Sequence, residues 1–278
     1  MDLKQLGQYQ ALTEEEYANV FSTFIAKSTE YKAMMSLIKP AIDGFGGSAV
    51  KVMSIGAGTG CVEDDLIRNY GLNMDYFYAI EPNPLHLIEL KKTISGWGSK
   101  YKIDARYFDP KMEIDCTFDL IIMSHVMYYM TDPLGAMQKA KDLLNPGGCV
   151  VIFHQGEKGG NMIYVEFMKK ASKEKKTMND DVISCKELCT MLKKSGVNQQ
   201  LTLGASTLEV DDFVRRRNTP TANDVISFFL QTRFENLSKE LKQEVFEIVK
   251  KASYENSDGK YVLNNSTAMI QIFSGENA

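Results

Sequence analysis

AVKVMSIGAGTG, residues 49–60, is the stretch that decides the fold of this chain. Its first half has the apolar, β-branched composition of a parallel strand covered on both faces, and this run ends at Ile55. Gly56, Gly58 and Gly60 follow, and a backbone without Cβ atoms can turn sharply and lie against a ligand. After Gly60 the apolar residues are spaced as on a helix, whose first N–H groups point back at the glycines. This unit predicts a site for a nucleotide-like cofactor.

The spacing of these glycines separates two classes of nucleotide-binding protein. A dinucleotide fingerprint reads G-x-G-x-x-G, and Cys61 stands where its last glycine belongs. The spacing G-x-G-x-G instead resembles the first motif of the class I S-adenosylmethionine-dependent methyltransferases, whose loop surrounds the amino-acid end of a cofactor that carries no phosphate. The resemblance implies an acidic residue after the next strand, where it holds the ribose hydroxyls. Glu81 follows the segment 75–80 there, and Pro82 ends the strand.

Composition and charge argue against several classes of function. The chain has 278 residues, 44% of them hydrophobic, which is enough for one large core or two small ones. A formal net charge of -4 and the lack of a long run of Lys and Arg argue against nucleic-acid binding. No apolar run approaches the roughly 20 residues that span a bilayer, and the first residues lack the apolar core of a signal peptide. We therefore expect a cytoplasmic monomer that binds neither nucleic acid nor membrane.

The five cysteines do not form a metal or disulfide pattern. They are neither a C-x-x-C pair nor a dense framework, which favours reduced thiols. Cys185 and Cys189 lie four residues apart on a predicted helix, but the sequence has only three histidines and none is nearby. We predict no metal site.

Strands and helices alternate after the glycine turn. Apolar runs predict strands at 101–107, 118–123 and 149–154, with a turn at 145–148 before the last of them. Because the carboxyl ends of parallel strands open onto one crevice, residues near those ends are expected to bind the cofactor. In chain order they are Ser54, Gly56, Ala57, Gly58, Gly60, Glu81, Pro82, Asp109 and Ser124.

The alternation loosens after Val151, and a final apolar strand at 268–273 can pair antiparallel beside the fifth strand. Near the start, Thr13 and Glu16 predict a capping box. We predict an α/β fold: a Rossmann-like, seven-stranded class I methyltransferase sheet with helices on both faces and a smaller, mostly helical substrate-binding cap. The predicted cofactor domain comprises residues 1–154, 183–208 and 259–278, and the inserted cap comprises residues 155–182 and 209–258.

Six stretches along the chain match motifs of one methyltransferase family: STE at 28–30, SIGAGTG at 54–60, EP at 81–82, MYY at 127–129, ISCKELCTML at 183–192 and GKYVLNN at 259–265. Through them nearly the whole chain is similar, at a distance, to the histamine N-methyltransferase family. The resemblance implies that Glu30 and Asn265 bind the imidazole ring of the substrate. It also implies S-adenosylmethionine as cofactor and a small amine or heteroaromatic nitrogen as methyl acceptor.

The chain departs from the family pattern at three places. His125 stands where the family has a glutamine that contacts imidazole, and His86 stands where the family has a glutamine that binds the cofactor. The family also has a pair of tryptophans in the cap, where this chain offers Tyr164 and Phe167. The prediction of a methyltransferase acting on a small amine or heteroaromatic nitrogen is compatible with these changes. They do not support histamine itself as the substrate.

The catalytic roles that we predict belong to Glu30, His125 and Asn265. If Glu30 accepts the N–H of an imidazole, the lone pair of the other ring nitrogen is free for attack, and Asn265 fixes the ring. His125 could do likewise, accept the released proton, or be a core or cofactor-facing histidine. Aromatic side chains could form walls around a ring or ammonium, or belong to the core. These are Tyr128, Tyr129, Tyr164 and Phe167.

Two functions from other classes stay open. An NAD-dependent oxidoreductase would use the same crevice, although Cys61 replaces its glycine. A non-catalytic module that binds a small amine would keep the fold without turnover.

Overall fold

The computed structural model describes residues 11–171, 183–217 and 219–275. The strands are β1 (Val50–Ile55), β2 (Met74–Ile80), β3 (Lys100–Asp104), β4 (Phe118–Ser124), β5 (Leu144–Gln155), β6 (Gln199–Gly204), β7 (Thr207–Glu209), β8 (Ser253–Glu255), β9 (Tyr261–Asn264) and β10 (Thr267–Phe273). The helices are α1 (Glu14–Lys27), α2 (Glu30–Gly44), α3 (Cys61–Tyr70), α4 (Pro84–Ile94), α5 (Pro133–Asp142), α6 (Gly160–Ala171), α7 (Cys185–Lys194), α8 (Asp211–Val214), α9 (Pro220–Leu230) and α10 (Lys239–Ala252). Short 3-10 helices cover Met127–Tyr129 and Phe234–Asn236.

Contacts divide the chain into two units. Unit 1 comprises Met1–Ala33, Gln155–Val182 and Gly204–Thr267. Unit 2 comprises Met34–His154, Ile183–Leu203 and Ala268–Ala278. None of the helices in the described ranges has both the length and the apolar content that a bilayer crossing requires.

Unit 2 is built on the predicted seven-stranded sheet, whose strand order is β3-β2-β1-β4-β5-β10-β6. The first five strands pair in parallel. β10 runs antiparallel to β5, because the N–H of Gly156 donates to the carbonyl of Ser266 and the N–H of Ser274 donates to that of Gly148. The prediction of this sheet and of its antiparallel last strand is confirmed.

The central strands of unit 2 are covered on both faces. In β4, the consecutive side chains Leu120–Met123 are all 0% exposed, so residues that point to opposite faces are equally buried. On one face Met53, Ile121 and Ile152 pack in a single cluster with residues of α5 and α7. This burial explains why the strands read as unbroken apolar runs.

The start of β5 differs from its prediction. The ladder begins at Leu144, which lies opposite Phe118, whereas Cys149 lies opposite Leu120. The residues between Leu144 and Cys149 therefore bulge out of the ladder, and Gly147 has a φ of +80°, which a side chain would disfavour. The turn predicted at 145–148 is thus a bulge inside a longer strand.

Unit 1 combines helices with a three-stranded antiparallel sheet of order β7-β9-β8. Its core includes Phe24 of α1, whose ring lies 4.5 Å from that of Phe228 of α9. The predicted capping box of α1 is confirmed, since the N–H of Glu16 donates to the Thr13 hydroxyl and the N–H of Thr13 donates to the Glu16 carboxylate.

The division into units differs from the predicted domains in three places, because residues up to Ala33, residues 204–208 and residues 259–267 belong to unit 1 and not to the unit with the large sheet. Ser28 forms a β-bridge with Leu208, and the N–H of Thr29 donates to the carbonyl of Thr207. These bonds place the start of the chain in unit 1. Residues 261–264 also belong there, because β9 pairs with β7 and β8. That unit 1 is a substrate cap stays a prediction.

Candidate active site

The glycine turn of unit 2 is fixed by packing on one side and open on the other. Gly56, Gly58 and Gly60 have φ angles of +71°, +57° and +77°, which disfavour any side chain. A Cβ on Gly56 would lie 2.2 Å from Cγ1 of Val126, whereas a Cβ on Gly58 would meet nothing within 4 Å. The turn therefore leaves room for a ligand beside Gly58. Ala57 is buried in the turn, and its N–H donates to the carbonyl of Ile80.

Glu81 anchors this turn to the end of β2. Its carboxylate is buried and accepts the N–H of Gly58 at 2.7 Å and the N–H of Asn83 at 2.8 Å. Burial raises the pKa of Glu81, but hydrogen bonds from His86, Asn83 and Gly58 outweigh burial and hold this pKa below its usual value. The lowered pKa keeps Glu81 ionised at neutral pH. Because each carboxylate oxygen has two lone pairs, Glu81 can accept further hydrogen bonds from hydroxyl donors.

The other residues predicted for the cofactor lie at the carboxyl ends of neighbouring strands in unit 2. Nδ1 of His86 lies 3.6 Å from Oε1 of Glu81. Pro82 and Ser124 are half-buried, and Ser54 is buried within β1. Asp109 is exposed, and its carboxylate accepts the N–H of Lys111 at 2.7 Å. Their contact with a cofactor stays a prediction.

Glu30 and Asn265 meet inside unit 1. Both side chains are buried, and Nδ2 of Asn265 donates to Oε2 of Glu30 at 3.2 Å. Burial raises the pKa of Glu30 to about 7, against the opposing effect of the hydrogen bond from Asn265. Glu30 therefore changes charge near neutral pH. The structure brings together two of the three predicted catalytic residues.

The amide of Asn265 is held from its other end as well. The side-chain Oδ1 of Asn265 accepts the N–H of Gly160 at 3.4 Å, and the backbone N–H of Asn265 donates to the carbonyl of Ser206 at 2.9 Å. A Cβ on Gly159 would lie 2.2 Å from Oδ1 of Asn265. The glycines at the start of α6 thus let the backbone approach the amide closely, which fixes its orientation.

His125 lies in unit 2, directly after β4. Its φ is +53°, an uncommon conformation for a residue with a side chain, and its N–H donates to the carbonyl of Phe153 at 3.0 Å. Burial lowers the pKa of His125 to about 4, so the imidazole is neutral at neutral pH. Its ring stacks on that of Tyr128 with 6.4 Å between the ring centroids, and the ring of Tyr128 stacks on that of His154 with 4.3 Å between the centroids.

The remaining aromatic candidates differ in exposure. Tyr129 is 69% exposed and Tyr164 is half-buried, so both can face a ligand. Phe167 is completely buried in the core cluster of unit 1. This burial favours the core role for Phe167 over contact with a ligand.

Sequence reasoning missed two buried polar side chains of unit 2. Glu63, in the first turn of α3, is completely enclosed three residues before the core residue Leu66. Helical spacing could have found it, because i and i+3 share a face. His154 is also buried, and its Nε2–H donates to the carbonyl of Ile183 at 2.7 Å. Burial lowers its pKa to about 4. Its place at the end of a buried strand was the available signal.

Comparison with known proteins gives one family model and one curated relative. Residues 53–150 match the model described as a methyltransferase domain. Carnosine N-methyltransferase 2 of Gallus gallus is 24% identical over 184 residues, which cover 57% of this chain and 56% of the relative. The chain thus spans about half the length of the curated relative that it matches.

Solved structures extend the likeness to most of the chain. A proposed methyltransferase from Bacillus halodurans C-125 has a TM-score of 0.53 at 15% identity, covering 88% of this chain and 99% of that one. The fold is that of a class I methyltransferase. The plantazolicin methyltransferase BamL, in complex with a triazolic desmethyl analogue and S-adenosylhomocysteine, has a TM-score of 0.50 at 12% identity, covering 93% and 91%. The cofactor of this fold is S-adenosyl-L-methionine.

The residues of the turn fit that cofactor. Gly58 borders open space, and the anchored carboxylate of Glu81 suits ribose hydroxyls. Residues 54–60 contain no Lys or Arg, in keeping with a cofactor that has no phosphate. No group of three or more His, Cys, Asp or Glu in the described ranges is arranged to hold a metal.

Gly58→Ala should distinguish an effect on ligand binding from an effect on the stability of the fold. The new Cβ meets no protein atom but stands in the open space, so we expect about fivefold weaker binding of S-adenosylhomocysteine by calorimetry. Its left-handed φ should also cost about 1 kcal/mol of stability. Gly71→Ala is the matched control, because its φ is +71° and its Cβ also meets nothing within 4 Å. Equal losses of affinity in both variants would contradict a ligand beside Gly58.

Proposed function

We propose that the chain is an S-adenosylmethionine-dependent N-methyltransferase that acts on a nitrogen of a small amine or imidazole-type, histamine-like acceptor. The observation that carries the proposal is the buried pair of Glu30 and Asn265, whose side chains are 3.2 Å apart. Carboxylates and amides are rarely buried without a partner or a purpose, and this pair combines an acceptor of N–H groups with an oriented amide.

When bound, S-adenosylmethionine would supply an activated methyl group, whose bond to sulfur would be exchanged for a bond to the acceptor nitrogen while the sulfur kept the electron pair. An amine would then lose a proton from the methylated nitrogen, and an imidazole would lose the proton of its other ring nitrogen. The protein must hold an unprotonated nitrogen in line and exclude water. Orientation of this kind can contribute about 7 to 11 kcal/mol. We assign cofactor binding to unit 2 and acceptor recognition to residues of unit 1.

Glu30 is the acceptor-orienting group in this proposal. As a carboxylate it accepts one ring N–H, which leaves the lone pair on the other ring nitrogen. Because burial raises its pKa to about 7, the carboxylate form gains population as the pH rises through neutrality. Asn265 holds the carboxylate and the plane of the ring.

His125 has a narrower role than the sequence suggested. A neutral imidazole with a pKa of about 4 accepts or donates one hydrogen bond but is a weak base at neutral pH. We therefore propose that His125, with Tyr128 stacked on it, contributes shape and one hydrogen bond to substrate choice. The proton lost from an imidazole acceptor lies on the ring nitrogen that faces Glu30, so His125 is not needed to accept it.

The curated relative supports a small acceptor, since its name describes N-methylation of carnosine. Histamine and carnosine share an imidazole ring, so both belong in a test. Purified protein should be incubated with radiolabelled S-adenosylmethionine and a panel of imidazoles and simple primary amines, with products identified by mass spectrometry. We expect turnover of at least one imidazole, and a methyl group on nitrogen.

Two results would reject the proposal. Tight binding of NAD without binding of S-adenosylhomocysteine would favour the oxidoreductase. Binding of both cofactor and amine without any methylated product would favour the non-catalytic module.

A further inference from the structure

A buried carboxyl group at the start of α3 has no role in the function described so far. Glu63 is 1% exposed and forms a hydrogen bond with the hydroxyl of Ser54 in β1. Its Oε2 has no hydrogen-bond partner within the described ranges. No Lys or Arg of those ranges forms an ion pair with it. A buried carboxyl oxygen without a hydrogen-bond partner destabilises a fold, which suggests that a bound ligand supplies the missing interaction.

Its place in the chain indicates which ligand. Glu63 follows Gly60 by three residues, and its partner Ser54 precedes Gly56 by two, so both ends of the glycine turn meet at this hydrogen bond. The methionyl end of S-adenosylmethionine carries two positive charges, the ammonium and the sulfonium, and one carboxylate, so it has one net positive charge. The turn itself offers no acidic side chain between Ser54 and Gly60.

We propose that Glu63 is the counter-charge for the positively charged methionyl end of the cofactor, and that its carboxyl proton passes to solvent as the cofactor binds. The proposal rests on the cofactor of the proposed function. No atom of the acceptor takes part in it.

The charges around Glu63 agree with such a switch. Burial raises the pKa of Glu63 to about 7, so the apo protein holds the proton at mildly acidic pH. Burial and the charge of Glu63 raise the pKa of the Cys61 thiol, which therefore stays neutral. Glu81 is bound by backbone N–H groups and is ionised throughout this range. His86 lies beside Glu81, with its Nδ1 3.6 Å from Oε1 of that carboxylate. A cation near a buried carboxyl group favours its ionised form.

The test is calorimetry of S-adenosylhomocysteine and S-adenosylmethionine in two buffers of different ionisation enthalpy. For the wild-type chain we expect nearly one proton released per ligand at about pH 6 and almost none at about pH 8. Affinity should be about tenfold weaker at the lower pH, by linkage. Glu63→Gln, which imitates the protonated carboxyl group, should fold, lose the proton release, and bind with little pH dependence. Proton release on binding of S-adenosylmethionine but not of S-adenosylhomocysteine would show that the sulfonium is the charge that Glu63 neutralises.

Two control variants separate this proposal from its alternatives. Glu81→Gln should weaken binding yet keep the proton release, and His86→Gln should also keep it. Release that disappears in His86→Gln and persists in Glu63→Gln would overturn the role of Glu63. Binding by the wild type without proton release at about pH 6 would overturn that role while leaving the proposed function intact. No binding of either ligand would reject both.

Discussion

Glu81→Ala is expected to weaken binding of S-adenosylhomocysteine by about 10- to 150-fold, which corresponds to the 1.5 to 3 kcal/mol typical of hydrogen bonds to a charged group. The carboxylate serves two purposes that alanine cannot replace. It accepts the N–H groups of Gly58 and Asn83, which hold the glycine turn, and it offers its remaining lone pairs to ribose hydroxyls. Calorimetry at about pH 8 measures the loss.

Glu89→Ala is the matched control for this change. Glu89 lies on the same helix as His86 but is exposed and pairs with Lys92 at 2.7 Å, a contact worth little. We expect its affinity and melting temperature to stay near those of wild type. A Glu81→Ala variant that folds and binds as tightly as Glu89→Ala would show that Glu81 does not hold the cofactor.

The cofactor half of the molecule was predictable because its signals are local. Glycines at 56, 58 and 60 are required by positive φ angles, and Glu81 is placed by the end of a single strand. Each of these features depends on neighbours in sequence. The seven-stranded sheet and its antiparallel last strand were predicted from the resemblance to class I methyltransferases together with the alternation of strands and helices, which leaves few topologies.

The buried acids were less predictable because burial is decided by distant residues. The sequence marks Glu30 and Glu63 as ordinary residues in the first turn of a helix, where acids are common on exposed surfaces. The family resemblance predicted a substrate-binding role for Glu30, whereas no motif in the sequence predicted a role for Glu63. The association of the N terminus with β7 depends on pairing between residues about 180 positions apart, which local periodicity does not encode.

The histidines show the same limit for electrostatics. An unperturbed histidine titrates at about 6.5, so His125 was a natural candidate for a base near neutral pH. Burial lowers the pKa of both His125 and His154 to about 4. We therefore expect a rate change near pH 7 to come from other groups. Burial raises the pKa of both Glu30 and Glu63 to about 7, and of these two we propose Glu30 as the acceptor-site residue.

Glu30→Gln is accordingly expected to lower kcat/KM for an imidazole acceptor by about 10- to 150-fold while cofactor affinity changes little. The amide keeps the volume and can still accept the N–H of Asn265, but it loses the charge-assisted bond to the ring. In the wild type, kcat/KM should rise with pH through about 7 as Glu30 ionises. With saturating cofactor, so that Glu63 does not limit the rate, the variant should lose that rise and keep only the titration of the acceptor.

Stability should change in the opposite direction, which distinguishes a functional acid from a structural one. The folded pKa of Glu30 lies above its usual value of 4.5, so the folded state binds more protons than the unfolded state between about pH 4.5 and 7. The stability due to protonated Glu30 is complete below that range and is lost as the pH rises through 7. Glu30→Gln should therefore match wild type near pH 4.5 and exceed it by up to about 3 kcal/mol near pH 8.

Glu209→Gln is the matched control in unit 1, because Glu209 pairs with Lys27 and Lys260 and lies outside the proposed acceptor site. It should retain turnover and should not become more stable than wild type at high pH, since its pKa is lowered by Lys260 and Lys27. Chemical denaturation at several pH values and initial rates over the same range measure both properties on one set of proteins. A Glu30→Gln variant that gains stability and keeps full turnover would remove Glu30 from acceptor binding, because its buried charge would then serve neither folding nor the methyl acceptor.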